Sequence, residues 1–492
     1  MIETSIINKI KNIIGNRYIS NDPVELYCYS HDYTSRALSW IYDEYQFMAD
    51  LIIKPRNEIQ IKEIVDLANE EYIKLIPRGA GTSFGGQFLP IDGGVVIDFS
   101  VMNAILEINP EEHYAVVEPG VLYKDLGHEL KKIGRGYWIP CNPGSAEVCT
   151  IGGMIANNAS GESAIKYGTT RDYLLNLKAV LGTGQKVQFG SLVKKSVSGL
   201  DLLSLLVGSE GTLGIITEAT LKFKALPETF ITVIASFDSK KAAIEMAGKI
   251  QEYITPMSLE IADQAVLSGM NLYLSRIYPK LSLKVSTVAL FVRLDGDRET
   301  TGIHAQKIKE LFMNDKNASD VKILTEEEHE YLWKSRDCSG PSLLRLLRPF
   351  RNAAPYAPAI LDFAVPFSKI FSFFEALSQI MKENNLGYGI VGHLGDGNLH
   401  INTTISLKSE ADFKKIGDLQ KTLIDQTMSL GGTITAEHGC GLWKAPYLPL
   451  EHGKEGVELM KKIKQVFDPN NILNPGKMIS PSKLGYFPTS SN

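Results

Sequence analysis

Apolar and polar positions along the chain fall into segments of different period. MADLIIKP (48–55) is a short apolar run and reads as a strand, and EIQIKEIVDLANEE (58–71) repeats its apolar residues at helical spacing. IKLIPRGAGTS (73–83) reads as a strand that runs into a glycine turn. This β-α-β order sets backbone amides where a phosphate group could sit. GGVVIDFS (93–100) and HYAVVEPGV (113–121) are two more strands, with VLYKDLGHELKKIG (121–134) a helix behind them. Residues 141–170 carry Gly, Ser, Asn and Thr in place of large apolar side chains and read as loop. LLNLKAVLGTGQKVQFG (174–190) reads as a hairpin turning at Thr183-Gly184.

Past residue 226 the texture changes to broader strand–helix–strand units. FITVIASF (230–237), SKKAAIEMAGKIQEYI (239–254) and STVALFVRLDG (286–296) lead to a long lysine-bearing helix, and AILDFAVP (359–366) precedes a further helix and a hairpin. That order predicts an α+β domain with helices on one face of an antiparallel sheet. The boundary is set at Leu226-Pro227, after a helical lead-in and a Tyr- and Asp-rich loop at the N-terminus.

The hairpin contains GHLGDGNLH (392–400), two of the nine histidines around a tight turn. Asp396-Gly397 is a two-residue hairpin loop. With it, Gly395 opposes Asn398, Leu394 opposes Leu399 and His393 opposes His400. Opposed residues hold their Cβ atoms about 4.5–5.5 Å apart on one face. Two imidazoles so placed can share a cation, with Asn402 following on the same face. An exposed hairpin tip with two ordinary histidines accounts for the same residues.

Composition narrows the classes. A chain of 492 residues exceeds one core, so two or three domains are expected. Charged residues make up 22% and the net charge is −5, which excludes a basic nucleic-acid binder as the default reading. The five cysteines (Cys28, Cys141, Cys149, Cys338, Cys440) form no CxxC and read as reduced thiols. The N-terminus has no uninterrupted apolar core of a signal peptide, and no run reaches the roughly 18–20 residues a spanning helix needs. A cytoplasmic protein is expected.

Three glycine-rich loops lie within the first half: PRGAGTSFGGQ (77–87), PCNPGSAEVCTIGGMIANNASGESAIKYGTTRD (140–172) and GSEGTLGIIT (208–217). The first is neither a dinucleotide GxGxxG nor a P-loop, and alone it is a turn. Together the three let a large, extended, phosphate-bearing cofactor approach the backbone closely.

These loops resemble the FAD-binding domain of the vanillyl-alcohol oxidase (p-cresol methylhydroxylase, PCMH) superfamily. GHLGDGNLH, TAEHGCG (435–441) and FDPNNILNPGK (467–477) add a resemblance to its branch of FAD-linked D-2-hydroxy acid dehydrogenases and oxidases, which includes glycolate oxidase catalytic subunits and D-lactate dehydrogenases. The match runs from about residue 45 to 480. It implies an α+β fold: a PCMH-type FAD-binding domain of two subdomains (1–226), a ferredoxin-like antiparallel-sheet substrate or cap domain with the metal hairpin (227–440), and a C-terminal helical segment (441–492) returning to the flavin.

The resemblance also implies the site. Arg78, Gly79, Ala80, Gly81, Thr82 and Ser83 match the pyrophosphate cradle. Pro143, Gly144, Ser145, Thr150, Gly152, Gly153, Asn157, Ala159 and Gly161 match the wall around pyrophosphate and flavin. Glu210, Gly211, Gly214 and Ile216 match the adenosine side, and Asn474 a position near the isoalloxazine ring. Thr82 stands where relatives with covalent flavin carry histidine, so FAD is expected to be non-covalent. His393, His400 and Glu437 match ligands of a divalent metal, zinc, iron or manganese, with His438 the candidate base. A helix-start pair in a glycine turn accounts for Glu437 and His438 equally well.

Arg336 matches the arginine that grips the substrate carboxylate. Ile360 stands where 2-hydroxyglutarate enzymes carry lysine, which favours a small acid such as D-lactate or glycolate. Arg345, Arg348 and Arg351 form either a solvated helix face or a stripe facing a partner or the inner face of a membrane. The scattered cysteines provide no iron–sulfur domain, so electrons are expected to pass to a separate acceptor: an iron–sulfur subunit, an electron-transfer flavoprotein or a quinone. A homo-oligomer or complex subunit is expected, as is the absence of nucleic acid among the partners.

Overall fold

The computed structural model describes residues 2–32, 34–35, 47–347, 356–406 and 410–479. Within them the chain forms two compact units: one of residues 2–160, 169–226 and 437–479, the other of 161–168 and 227–436. The return to the first unit begins at Glu437 rather than at 441, and Gly161, expected in the cofactor wall, lies in the second unit with the short segment up to 168.

Among the described residues the first unit holds two main sheets and a short antiparallel pair, Tyr137–Trp138 with Lys224–Ala225. Leu51–Ile53, Val95–Asp98 and Leu75–Arg78 run parallel, with Ile19–Ser20 antiparallel at one edge. Helix Glu58–Glu71 covers them, burying Ile61, Ile64, Val65 and Ala68. Its start is fixed by Asn57, whose side chain accepts from the Gln60 amide, and its end by Tyr72 in the left-handed conformation. The second sheet is antiparallel, in the order Ile105–Asn109, Tyr114–Val117, Gly214–Lys222, Leu174–Leu181, Lys186–Gly190. The stretch 141–170, expected to be loop, contains helices Ile151–Asn157 and Ala164–Tyr167. Small residues hid the first of these, which Thr150 caps by accepting from the Gly153 amide.

The second unit is built on a seven-stranded antiparallel sheet. Its order is Ala318–Ile323, Thr229–Phe237, Val288–Gly296, Ser258–Asp263, Tyr388–His393, Asn398–Ser406, Tyr356–Ala364. Helices cover both faces, not one. Gln264–Ile277, Glu326–Asp337 and Ser339–Leu347 pack on the face that carries Ile234, Ala262, Phe291 and Val391. Phe312 of Arg298–Met313 and Phe373 of Ile370–Glu383 meet Phe237 and Phe363 on the other. The inner strands therefore carry buried apolar side chains on both faces and lose the alternation, as a sheet covered twice requires, while the edge strand Ala318–Ile323 is only partly buried. No helix among the described residues is long and apolar enough to cross a membrane.

Candidate functional site

In the first unit the three glycine loops form one continuous wall. Strand Leu75–Arg78 ends at Gly79, where a Cβ would collide with the Thr150 hydroxyl and come within 3.4 Å of the Gly153 Cα. Gly152 sits against Pro119, which a Cβ would meet at 2.7 Å. The third loop joins the second through the amides of Gly208 and Glu210, which donate to the Ile155 and Ala156 carbonyls at 2.9 and 2.8 Å. Gly211, at φ +71°, turns against Pro77 of the first strand. Gly81, at φ +70°, makes room for the Arg78 guanidinium, which also lies over the rings of Tyr29 and Phe88 at 4.3 and 5.1 Å.

The same wall grips the segment from Glu437 to Gly441. Asn157 Nδ2 donates to the Glu437 carbonyl (2.8 Å) and Gln87 Nε2 to the His438 carbonyl (2.6 Å). The carboxylate of Glu210 accepts from the amides of Cys440 (2.6 Å) and Gly441 (2.8 Å). Gly439 is at φ +81°, and a Cβ there would meet Asn157 Oδ1 and Gln87 Nε2, each at 2.5 Å. Asn474, also left-handed, donates to the carbonyls of Gln87 and Glu210, both at 2.7 Å. Burial pushes the Glu210 carboxyl up to about 7 against the pull of its two amides, and pushes the Lys477 ammonium down to about 7. Lys477 donates to the Leu89 carbonyl and to Asn474 Oδ1 (3.2 Å).

Of the residues expected to line the cofactor, Arg78, Gly79, Gly81, Thr150, Gly152, Gly153, Asn157, Glu210, Gly211 and Asn474 take part in these contacts and Gly161 lies in the second unit, while Glu210 and Asn474 direct their polar atoms to this backbone. Residues 77–85 are half-buried. Among the described residues, Asn157 Oδ1 and Arg78 Nε are buried without a hydrogen-bond partner. A groove floored by glycines, with polar atoms of both signs buried along it, fits a long dinucleotide. His438 lies edge-on to Phe84 (5.3 Å between centroids), with its Nε2 3.8 Å from Glu437 Oε1. Ser160 Oγ donates to Glu437 Oε2 at 3.2 Å.

In the second unit four adjacent strands place Glu260, His393, His400 and Asp362 in a row on one face. The hairpin differs from expectation. Leu394–Asp396 form a 3₁₀ turn closed by left-handed Gly397, so His393 pairs with Asn398 and His400 with Val391. Moving the register by two residues preserves the face. The imidazoles become diagonal neighbours, with Nε2 atoms 3.5 Å apart and perpendicular rings. Asn402, opposite Gly389, continues that face.

Each ring has a fully buried carboxylate behind it. Glu260 Oε1 lies 2.6 Å from His393 Nδ1, and Asp362 Oδ1 lies 3.6 Å from His400 Nδ1. Asp362 Oδ2 also accepts from the Ala436 amide (2.9 Å) and the Thr435 hydroxyl (3.2 Å). Arg336 comes from helix Glu326–Asp337, started by the reciprocal Thr325–Glu328 capping box. Its Nε and Nη2 donate to Glu260 Oε2 at 2.8 and 2.5 Å. Burial would raise the Glu260 carboxyl, but the Arg336 guanidinium and the hydrogen bond from His393 hold it down at about 2. Arg336 was expected to face a substrate carboxylate; this edge of it is taken by Glu260. Two imidazole nitrogens presented to one point, with carboxylates behind, is a donor set that fits a divalent cation.

Glu260 was missed from the sequence, together with its strand. SLEIAD (258–263) alternates polar and apolar residues, and a glutamate inside it was the available signal. Ile360 pairs with Asn402 across the sheet edge, and Arg345 is exposed on its helix; Arg348 and Arg351 lie outside the described residues.

Comparison with known proteins finds two family matches, the second of which includes residues 437–478 that pack within the first unit. Residues 49–190 match the family "FAD binding domain" and residues 226–478 match "FAD linked oxidases, C-terminal domain". The chain is 36% identical to glycolate oxidase subunit GlcD of Bacillus subtilis, over 98% of both chains. It is 32% identical to a D-lactate dehydrogenase of Anaerostipes hadrus, over 97% of this chain and 98% of that one. The structure of p-cresol methylhydroxylase with substrate bound superimposes with a TM-score of 0.76 at 15% identity, covering 97% of this chain and 98% of that one, so the fold is of the PCMH type. The chain belongs to the FAD-linked oxidases, and FAD is its cofactor.

Proposed function

We propose that this enzyme oxidises a small D-2-hydroxy acid, D-lactate or glycolate, to the 2-oxo acid and passes the electrons to a separate acceptor. The observation that carries this reading is the row Glu260–His393–His400–Asp362 with Arg336 beside it, a concentrated polar site in a unit otherwise packed with apolar side chains. The names of the relatives support the substrate class, and Ile360 in place of a lysine favours the smaller acids.

In this reading His393, His400 and Glu437 hold a divalent cation, zinc, iron or manganese. The hydrogen bond from the Ala436 amide to Asp362 supports including Glu437, the next residue in the chain. Bound FAD would take the hydride from C2 of the acid. A cation would lower the pKa of the substrate hydroxyl. His438 accepts the hydroxyl proton, since imidazole titrates near neutrality. Arg336 binds the substrate carboxylate through the guanidinium edge not turned to Glu260. Non-covalent attachment of FAD follows from Thr82 in the first loop. A relative named as a subunit supports membership of a complex, with an iron–sulfur subunit, an electron-transfer flavoprotein or a quinone as acceptor.

Anaerobic titration of the purified flavoprotein with D-lactate, L-lactate and glycolate tests the reading. Bleaching of the oxidised-flavin absorbance by D-lactate or glycolate, and not by L-lactate, is the expected result. A flavoprotein that none of them bleaches would redirect the assignment to larger D-2-hydroxy acids or to a non-catalytic subunit.

A further inference from the structure

We propose that Glu260 is a positioning residue of the cation site: it holds His393 through Nδ1, turns Nε2 of that ring towards His400, and is itself kept neutralised by Arg336. The inference rests on the cation reading above and adds a residue to it.

The proton assignment follows from the contacts. Glu260 is fully buried on the inner strand Ser258–Asp263, and its Oε1 lies 2.6 Å from His393 Nδ1. A nitrogen and a carboxylate oxygen at that separation need a proton between them. Arg336 supplies two charge-assisted hydrogen bonds to Oε2, which keep the carboxylate ionised, so the proton belongs to Nδ1. Arg336 Nη2 lies 3.3 Å from Nδ1 and could donate only to a lone pair there, but the 2.6 Å contact with the Glu260 carboxylate is shorter and charge-assisted and takes the Nδ1 proton. A neutral His393 ring therefore keeps its lone pair on Nε2, 3.5 Å from His400 Nε2.

Glu260 is not itself a further ligand. Both of its oxygens are engaged, Oε1 with His393 and Oε2 with Arg336, and Ser258 Oγ lies 3.5 Å from Oε1. Charge balance points the same way: Glu260 and Arg336 cancel, so the pair brings no net charge to the ion. A carboxylate behind a ligating histidine fixes the tautomer and raises the ring's basicity, and losing it costs about 10–100-fold in metal affinity.

The test uses the holo-flavoprotein, stripped of divalent cation by a chelator and titrated with Mn²⁺ while free Mn²⁺ is followed by electron paramagnetic resonance. Glu260→Ala should weaken Mn²⁺ binding by about 10–100-fold with the flavin spectrum unchanged. Glu260→Gln should recover part of that loss, because its amide oxygen can still accept from Nδ1–H. If the lone buried arginine prevents Glu260→Ala from folding, the double variant Glu260→Ala/Arg336→Met removes both charges and should show the same loss. His393→Ala separates the two levels. Weak Mn²⁺ binding in His393→Ala with parental binding in the Glu260 variants would overturn the role of Glu260 alone. Parental binding in His393→Ala as well would overturn the cation reading and this inference with it.

Discussion

The two units build their sites from opposite materials. In the first, the wall is backbone: glycines that a Cβ would fill, left-handed turns at Gly81, Gly211 and Gly439, and amide side chains of Gln87, Asn157 and Asn474 that bind carbonyls. In the second, the site is side chains alone, with two carboxylates, two imidazoles and a guanidinium on a sheet face and the helix above it. A backbone site tolerates no added atom, while a side-chain site tolerates changes of shape but not of charge.

The largest expected effect breaks the first half of that contrast. Gly439→Val puts a branched side chain where Gln87 Nε2 and Asn157 Oδ1 already approach a built Cβ to 2.5 Å, at φ +81°. The grip on residues 437–441 should fail, and the flavin-to-protein absorbance ratio should fall to near zero after desalting. Arg336→Met comes next and should leave the flavin ratio of the folded protein unchanged. It strands Glu260 as a buried charge and should destabilise the second unit by about 3–5 kcal/mol, read by denaturant unfolding.

The pH responses sharpen the comparison, because they run in opposite directions. Glu210 has its carboxyl raised from 4.5 to about 7, so its protonated form is the one the fold favours. Its contribution is complete below 4.5 and is lost as pH rises through about 7, an amount of about 3 kcal/mol. Glu210→Gln should therefore sit furthest below the parent at acid pH and gain on it as pH rises towards neutrality. His329 gives a shift of similar size and opposite sense. Burial and Arg293 lower its pKa from 6.5 to about 4, and it faces the Thr232 hydroxyl at 2.7 Å. Its contribution is present above 6.5 and lost as pH falls through about 4. His329→Asn should flatten that acid limb of the melting temperature of the second unit.

The contrast also explains what the sequence discloses. Glycine loops and the helix Glu58–Glu71 are legible because close approach and helical period each leave a local pattern in the residues. The histidines were legible as a pair within one hairpin, and a register error of two residues did not move them to the other face. Glu260 and Arg336 are joined by a contact spanning 76 positions, and no local spacing encodes such a pair. Helix Ile151–Asn157 escaped notice because its glycines carry no apolar period, although Thr150 is a fitting cap. The second layer of helices on the sheet was missed because buried strands lose the alternation that marks a solvent face.

The most direct test of the two-site account is the rate of flavin bleaching by D-lactate, or by glycolate if that is the acid that reduces the parent, in rapid anaerobic mixing before and after chelation of divalent cation. The account predicts that chelation abolishes bleaching while the oxidised-flavin spectrum stays as it was, and that added Mn²⁺ or Zn²⁺ restores the rate. Bleaching at an unchanged rate in protein shown to be metal-free would contradict it.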